Sequence, residues 1–212
     1  MSQQGLSSVA EGKSPKALRK TRQILDAAAA LFRDKGYAQT TLNDIALAAG
    51  TQAGSLYYHF ESREQLVEEV LAISMLTTTN RVKAAVANLP PSATTGDKIR
   101  TGLREHLLEL LKFDDYTVAY YKIIDQVPER VRQKYVELPR QYANFWRGLI
   151  LEGQASGELR QDLDPTILRL QLLGAAIWTS EWYDPNKGKT PEEVADQMAD
   201  VFLNGASPRS GA

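Results

Sequence analysis

The sequence predicts an all-α fold, and three observations predict it. Apolar residues recur three and four positions apart along nearly the whole chain, the spacing of one face of a helix. Helix-start signals recur with them. Ser14-Pro15, Asp164-Pro165 and Thr190-Pro191-Glu192-Glu193 each set a capping side chain before a proline suited to the first turn. No stretch alternates apolar and polar residues with the period of two that a half-buried strand needs.

In chain order, Met1 to Gly12 is mostly Ser, Gln, Gly and Glu and reads as a disordered leader; with the basic residues that follow, the leader is assigned to residues 1–17. A helix opens at Ser14-Pro15 and runs to about Lys35, with Ile24, Leu25, Ala28, Leu31 and Phe32 as its stripe and Gly36 as its stop. Lys13, Lys16, Arg19, Lys20, Arg22, Arg33 and Lys35 outnumber Asp26 and Asp34 there, a local basic patch in a chain of net charge -1. A solvated face is the commoner fate of such a run; beside a DNA-reading element, phosphate contact weighs at least equally.

Thr41 to Phe60 holds two short helical patterns split by a glycine. Leu42, Ile45, Ala46 and Ala49 face one way, Thr41 and Asp44 resemble a capping box, and Gly50 ends the pattern. The second helix, about Gln52 to His59, is too short to stand alone. Leu56 and Phe60 anchor it, and its other side carries Ser55, Tyr57, Tyr58 and His59 with no acidic group. A short helix anchored on one side and polar on the other suits a DNA major groove, and helix, glycine turn, helix is the helix-turn-helix arrangement.

These residues carry a resemblance. Gly36-Tyr37, Thr40-Thr41, Asp44-Ile45-Ala46, Ala49-Gly50 and Gly54-Ser55-Leu56-Tyr57-Tyr58-His59-Phe60, continuing through Ser62, Arg63, Glu64 and Leu66, resemble the DNA-reading half of the TetR/AcrR family of bacterial transcriptional regulators. The resemblance covers Leu18 to Leu71 and implies a three-helix DNA-binding domain at 18–78, with its helix-turn-helix at 41–60. It implies a larger helical ligand-binding and dimerisation domain at 79–212. It places Thr41, Thr51, Gln52, Gly54, Ser55, Tyr57, Tyr58, His59 and Arg63 at positions that face DNA in the family. Tyr57, Tyr58, Thr41 and Arg63 are expected on phosphates, and Gln52 and Ser55 on base edges. Two departures stand out. Gln52 occupies a position where relatives have a capping Ser, so Thr51 is expected to cap in its place. Ala53 stands where Arg or Lys is common, which removes one potential contact.

Beyond Phe60, Ser62 and Gln65 start a helix with Leu66, Val67, Val70, Leu71 and Met75 as its stripe, ended near Asn88 by Leu89-Pro90-Pro91. Ile99, Leu103, Leu107 and Leu110 mark the next helix, and Tyr116 to Val127 another. Pro128 opens one more, which Pro139 is expected to kink or divide, and the pattern resumes from Tyr142 to Ala155. The helix from Pro165 to Tyr183 is apolar on most sides and is expected to be buried on most sides. The last helix begins at Pro191 and is expected to end at Asn204-Gly205, before a disordered tail. The segments from Glu152-Gly153 to Asp164-Pro165 look like the family's regulatory domain. Trp182-Tyr183 and Pro191 to Ala195 are similar to members that sense acyl-CoA or other lipid-derived ligands.

Composition excludes much. There is no cysteine, and His59 and His106 are the sole histidines, so disulfides, thiolate sites and His-rich metal sites are ruled out. GxSxG, P-loop and GxGxxG motifs are missing, and no apolar run approaches the ~20 residues of a membrane span. No metal, cofactor or catalytic residue is expected, and the cysteine count suits the cytoplasm. His106, among Leu103, Leu107 and Leu110, reads as a structural histidine. Aromatics crowd the chain beyond Leu110; core packing accounts for most, while Tyr121, Trp146 and Trp178 are the candidates to line a ligand pocket. The expected function is a ligand-responsive DNA-binding transcriptional regulator. It would be a homodimeric repressor on a near-palindromic double-stranded operator, released by a small, mostly apolar effector such as an acyl-CoA. The competing reading is a helical small-molecule-binding or enzymatic module with an incidental helix-turn-helix.

Overall fold

A computed structural model describes residues 14–207. The leader expected over Met1 to Gly12, Lys13 of the basic run, and the tail beyond Ser207 lie outside the described residues. Ten α-helices and no strand occur among those described: α1 (Pro15–Lys35), α2 (Leu42–Ala48), α3 (Ala53–His59), α4 (Arg63–Ala87), α5 (Thr95–Leu110), α6 (Asp115–Ile123), α7 (Glu129–Tyr135), α8 (Glu137–Ala155), α9 (Pro165–Trp182) and α10 (Pro191–Ala206). None of them is long and apolar enough to cross a membrane.

The described chain divides into two compact units. The first comprises residues 14–77 and 113–139, the second 78–112 and 140–207. The first unit therefore takes in α6 and α7 besides the three N-terminal helices, and α4 runs through both. Its core is one apolar cluster: Ile24, Leu25 and Phe32 of α1, Ile45 of α2, Leu56 of α3, Leu66 and Leu71 of α4, Ile123 of α6 and Val131 of α7. Polar ties sit around it. Tyr116 donates to Asp26 at 2.7 Å, Lys122 donates to the carbonyls of Arg33 and Asp34 at 2.8 and 2.9 Å, and Arg33 pairs with Asp115. The lysine thereby meets the last carbonyls of α1, where a cation is favoured. Gln126 accepts from the Tyr37 N–H at 3.0 Å beside Gly36, whose φ of 77° suits a residue without Cβ.

The second unit buries Ile99, Leu103 and Leu107 of α5 with Trp146 and Ile150 of α8, Leu168, Leu172 and Ala176 of α9, and Val194 and Ala199 of α10. Gly102 lets Trp146 lie against the α5 backbone: a Cβ there would meet the indole at 2.9 Å. Arg81 of α4 donates to Glu105 and to the buried Glu109 of α5, each at 2.5 Å.

The segment opened by Pro128 is divided, as expected: the break falls at Val136, and Pro139 sits in the first turn of α8, where its missing N–H costs nothing. Two sequence expectations shift. α10 continues past Asn204-Gly205 to Ala206. α9 is not buried on most sides within one chain: Ile167, Leu170, Trp178 and Trp182 are exposed.

Candidate DNA interface

α2 begins with a full capping box. The Thr41 hydroxyl accepts from the Asp44 N–H at 3.1 Å, and Asp44 accepts from the Thr41 N–H at 3.0 Å. The Thr41 N–H and hydroxyl together hold the Asp44 carboxyl below its ordinary range. α2 ends in a Schellman motif. Thr51 N–H donates to Ala46 O at 2.9 Å and Gly50 N–H to Leu47 O at 3.1 Å, with Gly50 at φ 59°. α3 follows with Gln52 at its N-cap, making no side-chain cap bond, so Thr51 does not take over the cap and the helix start does not shift.

Leu56 and Phe60 are buried and seat α3 against the first unit's core. Gln52, Gly54, Ser55, Tyr57 and Tyr58 are on its outer side, with Tyr57 61% and Tyr58 76% exposed. Thr41 is also exposed, and its hydroxyl proton goes to Asp44 at 2.8 Å. Thr51 is half-buried.

The remaining two residues of the expected set turn inward. His59 is buried, and its Nδ1 shares a hydrogen bond with the fully buried Thr21 hydroxyl at 2.9 Å. Arg63 donates through Nη2 to Tyr37 O at 2.5 Å and Thr40 O at 2.8 Å, and its guanidinium lies 4.0 Å from the Tyr37 ring centroid. That geometry ties the start of α4 to the loop before α2. Within the basic run, Lys20 donates to Ala49 O at 2.9 Å and Gly50 O at 3.1 Å, Arg22 pairs with Asp26, and Lys16 and Arg19 stay exposed. Nothing in the local sequence signals the Lys20 contacts, because their partners lie 29 and 30 residues away.

The expected pocket residues fall in both units. Tyr121 belongs to the first unit. Trp146 is fully buried in the second, and Trp178 is 65% exposed on α9. Beside Trp146, His106 Nδ1 shares a hydrogen bond of 2.9 Å with the Tyr142 hydroxyl, and burial pushes its imidazole down to about 4. His106 Nε2 and Trp146 Nε1 find no hydrogen-bond partner among the described residues. A separate groove of about 1010 Å³ lies between α9 and α10, lined by Leu168, Leu172, Trp182, Val194, Met198 and Phe202 among others.

Two family models match the chain. That for "Bacterial regulatory proteins, tetR family" covers residues 24–70, and that for "Tetracyclin repressor-like, C-terminal domain" covers residues 92–206, more than half of the chain. The chain belongs to the TetR family of transcriptional regulators. Among relatives of this TetR-family chain, the HTH-type transcriptional repressor KstR2 of Rhodococcus jostii (strain RHA1) is 34% identical over 95% of this chain and 98% of its own. The fatty acid metabolism regulator protein of Bacillus subtilis (strain 168) is 26% identical over 73% of this chain and 78% of its own. Among solved structures, AibR in complex with isovaleryl coenzyme A and operator DNA superposes with a TM-score of 0.76 at 24% identity, over 87% of this chain and 98% of that one, which establishes a shared fold. Membership decides between the two readings of the sequence: the helix-turn-helix is the chain's working element, and the chain is a regulator, not an enzyme.

Proposed function

We propose that this regulator is a homodimeric, cytoplasmic repressor that reads a near-palindromic operator through α3 and is released by a small, mostly apolar, lipid-derived effector such as an acyl-CoA. The observation that carries the DNA part is the outer side of α3. Gly54, Ser55, Tyr57 and Tyr58 stand exposed on a helix anchored by its buried Leu56 and by the buried Phe60 just after it. Tyr57 and Tyr58 hold phosphates, and Gln52 and Ser55 address base edges. A twofold dimer sets its reading helices roughly 34–36 Å apart, or a multiple of that. Support for the dimer comes from α9 and α10, where Ile167 and Val201 are exposed at the groove and Leu170 and Trp178 are exposed elsewhere on α9. An apolar surface of that kind is an association surface.

The effector reading rests on the name of the fatty acid metabolism regulator, on AibR's isovaleryl coenzyme A, and on the interior beside Trp146. His106 Nε2 and Trp146 Nε1 are buried polar atoms suited to a carbonyl or hydroxyl oxygen inside an otherwise apolar core. A gel shift with the gene's own upstream DNA, repeated with acyl-CoA thioesters, free fatty acids and planar aromatics, tests the whole. A shift reversed by an acyl-CoA is the expected result. No shift with any upstream fragment overturns the DNA reading. Release by an aromatic compound alone overturns the lipid reading.

A further inference from the structure

We propose that Lys20 and Thr21, consecutive on α1, are positioning residues that fix the turn leading into α3 and its last residue and thereby set the pose in which it meets DNA; this rests on α3 being the reading helix. α3 has seven residues and no side-chain N-cap bond, so it does not hold its own ends. Leu56 and Phe60 fix how deeply it sits, since apolar burial is non-directional and leaves sliding and rotation open. Direction comes from hydrogen bonds at each end. At the entrance, the Lys20 ammonium bridges Ala49 O and Gly50 O, the C-cap of α2 and the turn. A cation meeting carbonyls at a helix C-terminus makes charge-assisted bonds, stronger than neutral ones. At the exit, the Thr21 hydroxyl is 2.9 Å from Nδ1 of His59, the last residue of α3, with both side chains buried. Neighbouring residues of one rigid 21-residue helix thus hold the turn before α3 and its last residue at a fixed separation.

α1 is itself immobilised. Its far end is tied to α6 through Lys122, Arg33 and Asp115, and its middle through Tyr116 and Asp26. Lys20 therefore has a task distinct from that of the other cations in the run. Two of its three N–H groups face protein carbonyls, so removing it loosens the turn; removing a phosphate contact weakens attraction to any DNA alike. Thr21, fully buried, has no route to a phosphate.

The experiment compares wild type, Lys20→Met, Lys20→Arg, Thr21→Val and Thr21→Ser, with Tyr57→Ala as the phosphate-contact control. Each full-length protein is titrated with operator and with non-specific duplex across a salt series, and its thermal midpoint is recorded. Lys20→Met and Thr21→Val are expected to lose about tenfold in operator affinity. Their non-specific affinity and salt slope stay at wild-type values. Thr21→Ser, which keeps the hydroxyl, recovers operator binding. Lys20→Arg shows whether a second cationic donor reaches the same carbonyls, and recovery there supports the assignment. A salt slope reduced by roughly one unit in Lys20→Met, with equal loss on both duplexes, makes Lys20 a phosphate contact and overturns its part. Unchanged operator affinity in Thr21→Val overturns the other part, and a Thr21→Ser variant no better than Thr21→Val does so as well. If wild type itself does not discriminate operator from random duplex, the α3 reading fails first, an outcome distinct from either.

Discussion

Arg63 and His59 show how a residue type suited to DNA is also recruited by the protein around it. A guanidinium at the start of a helix is a natural phosphate donor, yet Arg63 reaches Tyr37 O and Thr40 O and stacks on Tyr37. Those carbonyls lie in a half-buried loop and need donors. Tyr57 keeps the outward position, and Tyr57→Ala is expected to weaken binding to all duplexes alike and reduce the salt slope by about one unit. A changed operator preference at constant slope would contradict that role. His106 yields a pH dependence. Burial lowers its imidazole from the ordinary 6.5 to about 4, so between those values the unfolded chain takes up a proton that the folded chain refuses. Stability is therefore full above the upper value and falls as pH drops through the window, at up to about 1.4 kcal/mol per pH unit. Urea midpoints measured across that window are expected to fall more steeply for wild type than for His106→Gln. Superimposable profiles would remove His106 as the source.

At the scale of elements, two glycines in helix interiors separate packing from propensity. Gly102 on α5 meets the ring of Trp146, and a Cβ there would lie 2.9 Å from it. Gly102→Ala is expected to displace the indole and destabilise the protein by about 1–3 kcal/mol despite alanine's better helix propensity. Gly148 on α8 has open space where its Cβ would go, so Gly148→Ala is expected to stabilise by about 0.5–1 kcal/mol. Thermal melts of the pair, with opposite signs, check both. The helix-turn-helix follows the same division between local and tertiary causes. Its α2 cap and its Schellman stop are local, set by Thr41, Asp44 and Gly50. The orientation of α3 depends on α1, which contributes Lys20 and Thr21 from far along the chain, while Arg63 ties the start of α4 to the loop before α2.

For the whole molecule, the exposed face of α9 bears on assembly. Leu170→Asp combined with Trp178→Asp places charges where Leu170 and Trp178 are exposed beside other apolar groups. Sedimentation at micromolar concentration is expected to show a dimer for wild type and a monomer for the double variant. Operator affinity is then expected to fall by about a hundredfold or more, because each half-site must be bound alone. A wild-type monomer would count against the dimer. Effector release is expected to need roughly 5 kcal/mol of differential affinity between the DNA-competent and incompetent arrangements. Replacing Trp178 and Trp182 with Phe leaves Trp146 as the single indole reporter. Saturable quenching by an acyl-CoA that tracks operator release is the expected outcome, and quenching without release would break the coupling.

The sequence by itself determined the helical elements, most of their caps and the family. Those are local matters: a stripe at helical spacing, a Thr or Asp before a proline, a glycine at positive φ and the run from Gly54 to Phe60 are each written in a few adjacent residues. It also determined which side of α3 is anchored, since Leu56 and Phe60 lie four positions apart. Tertiary structure decided what each polar side chain does. Lys20 of the basic run meets the α2 carbonyls, His59 and Arg63 bond to the protein, and α6 joins the unit built on α1. Those outcomes depend on which distant backbone groups need a partner, and spacing along the chain carries no record of that need.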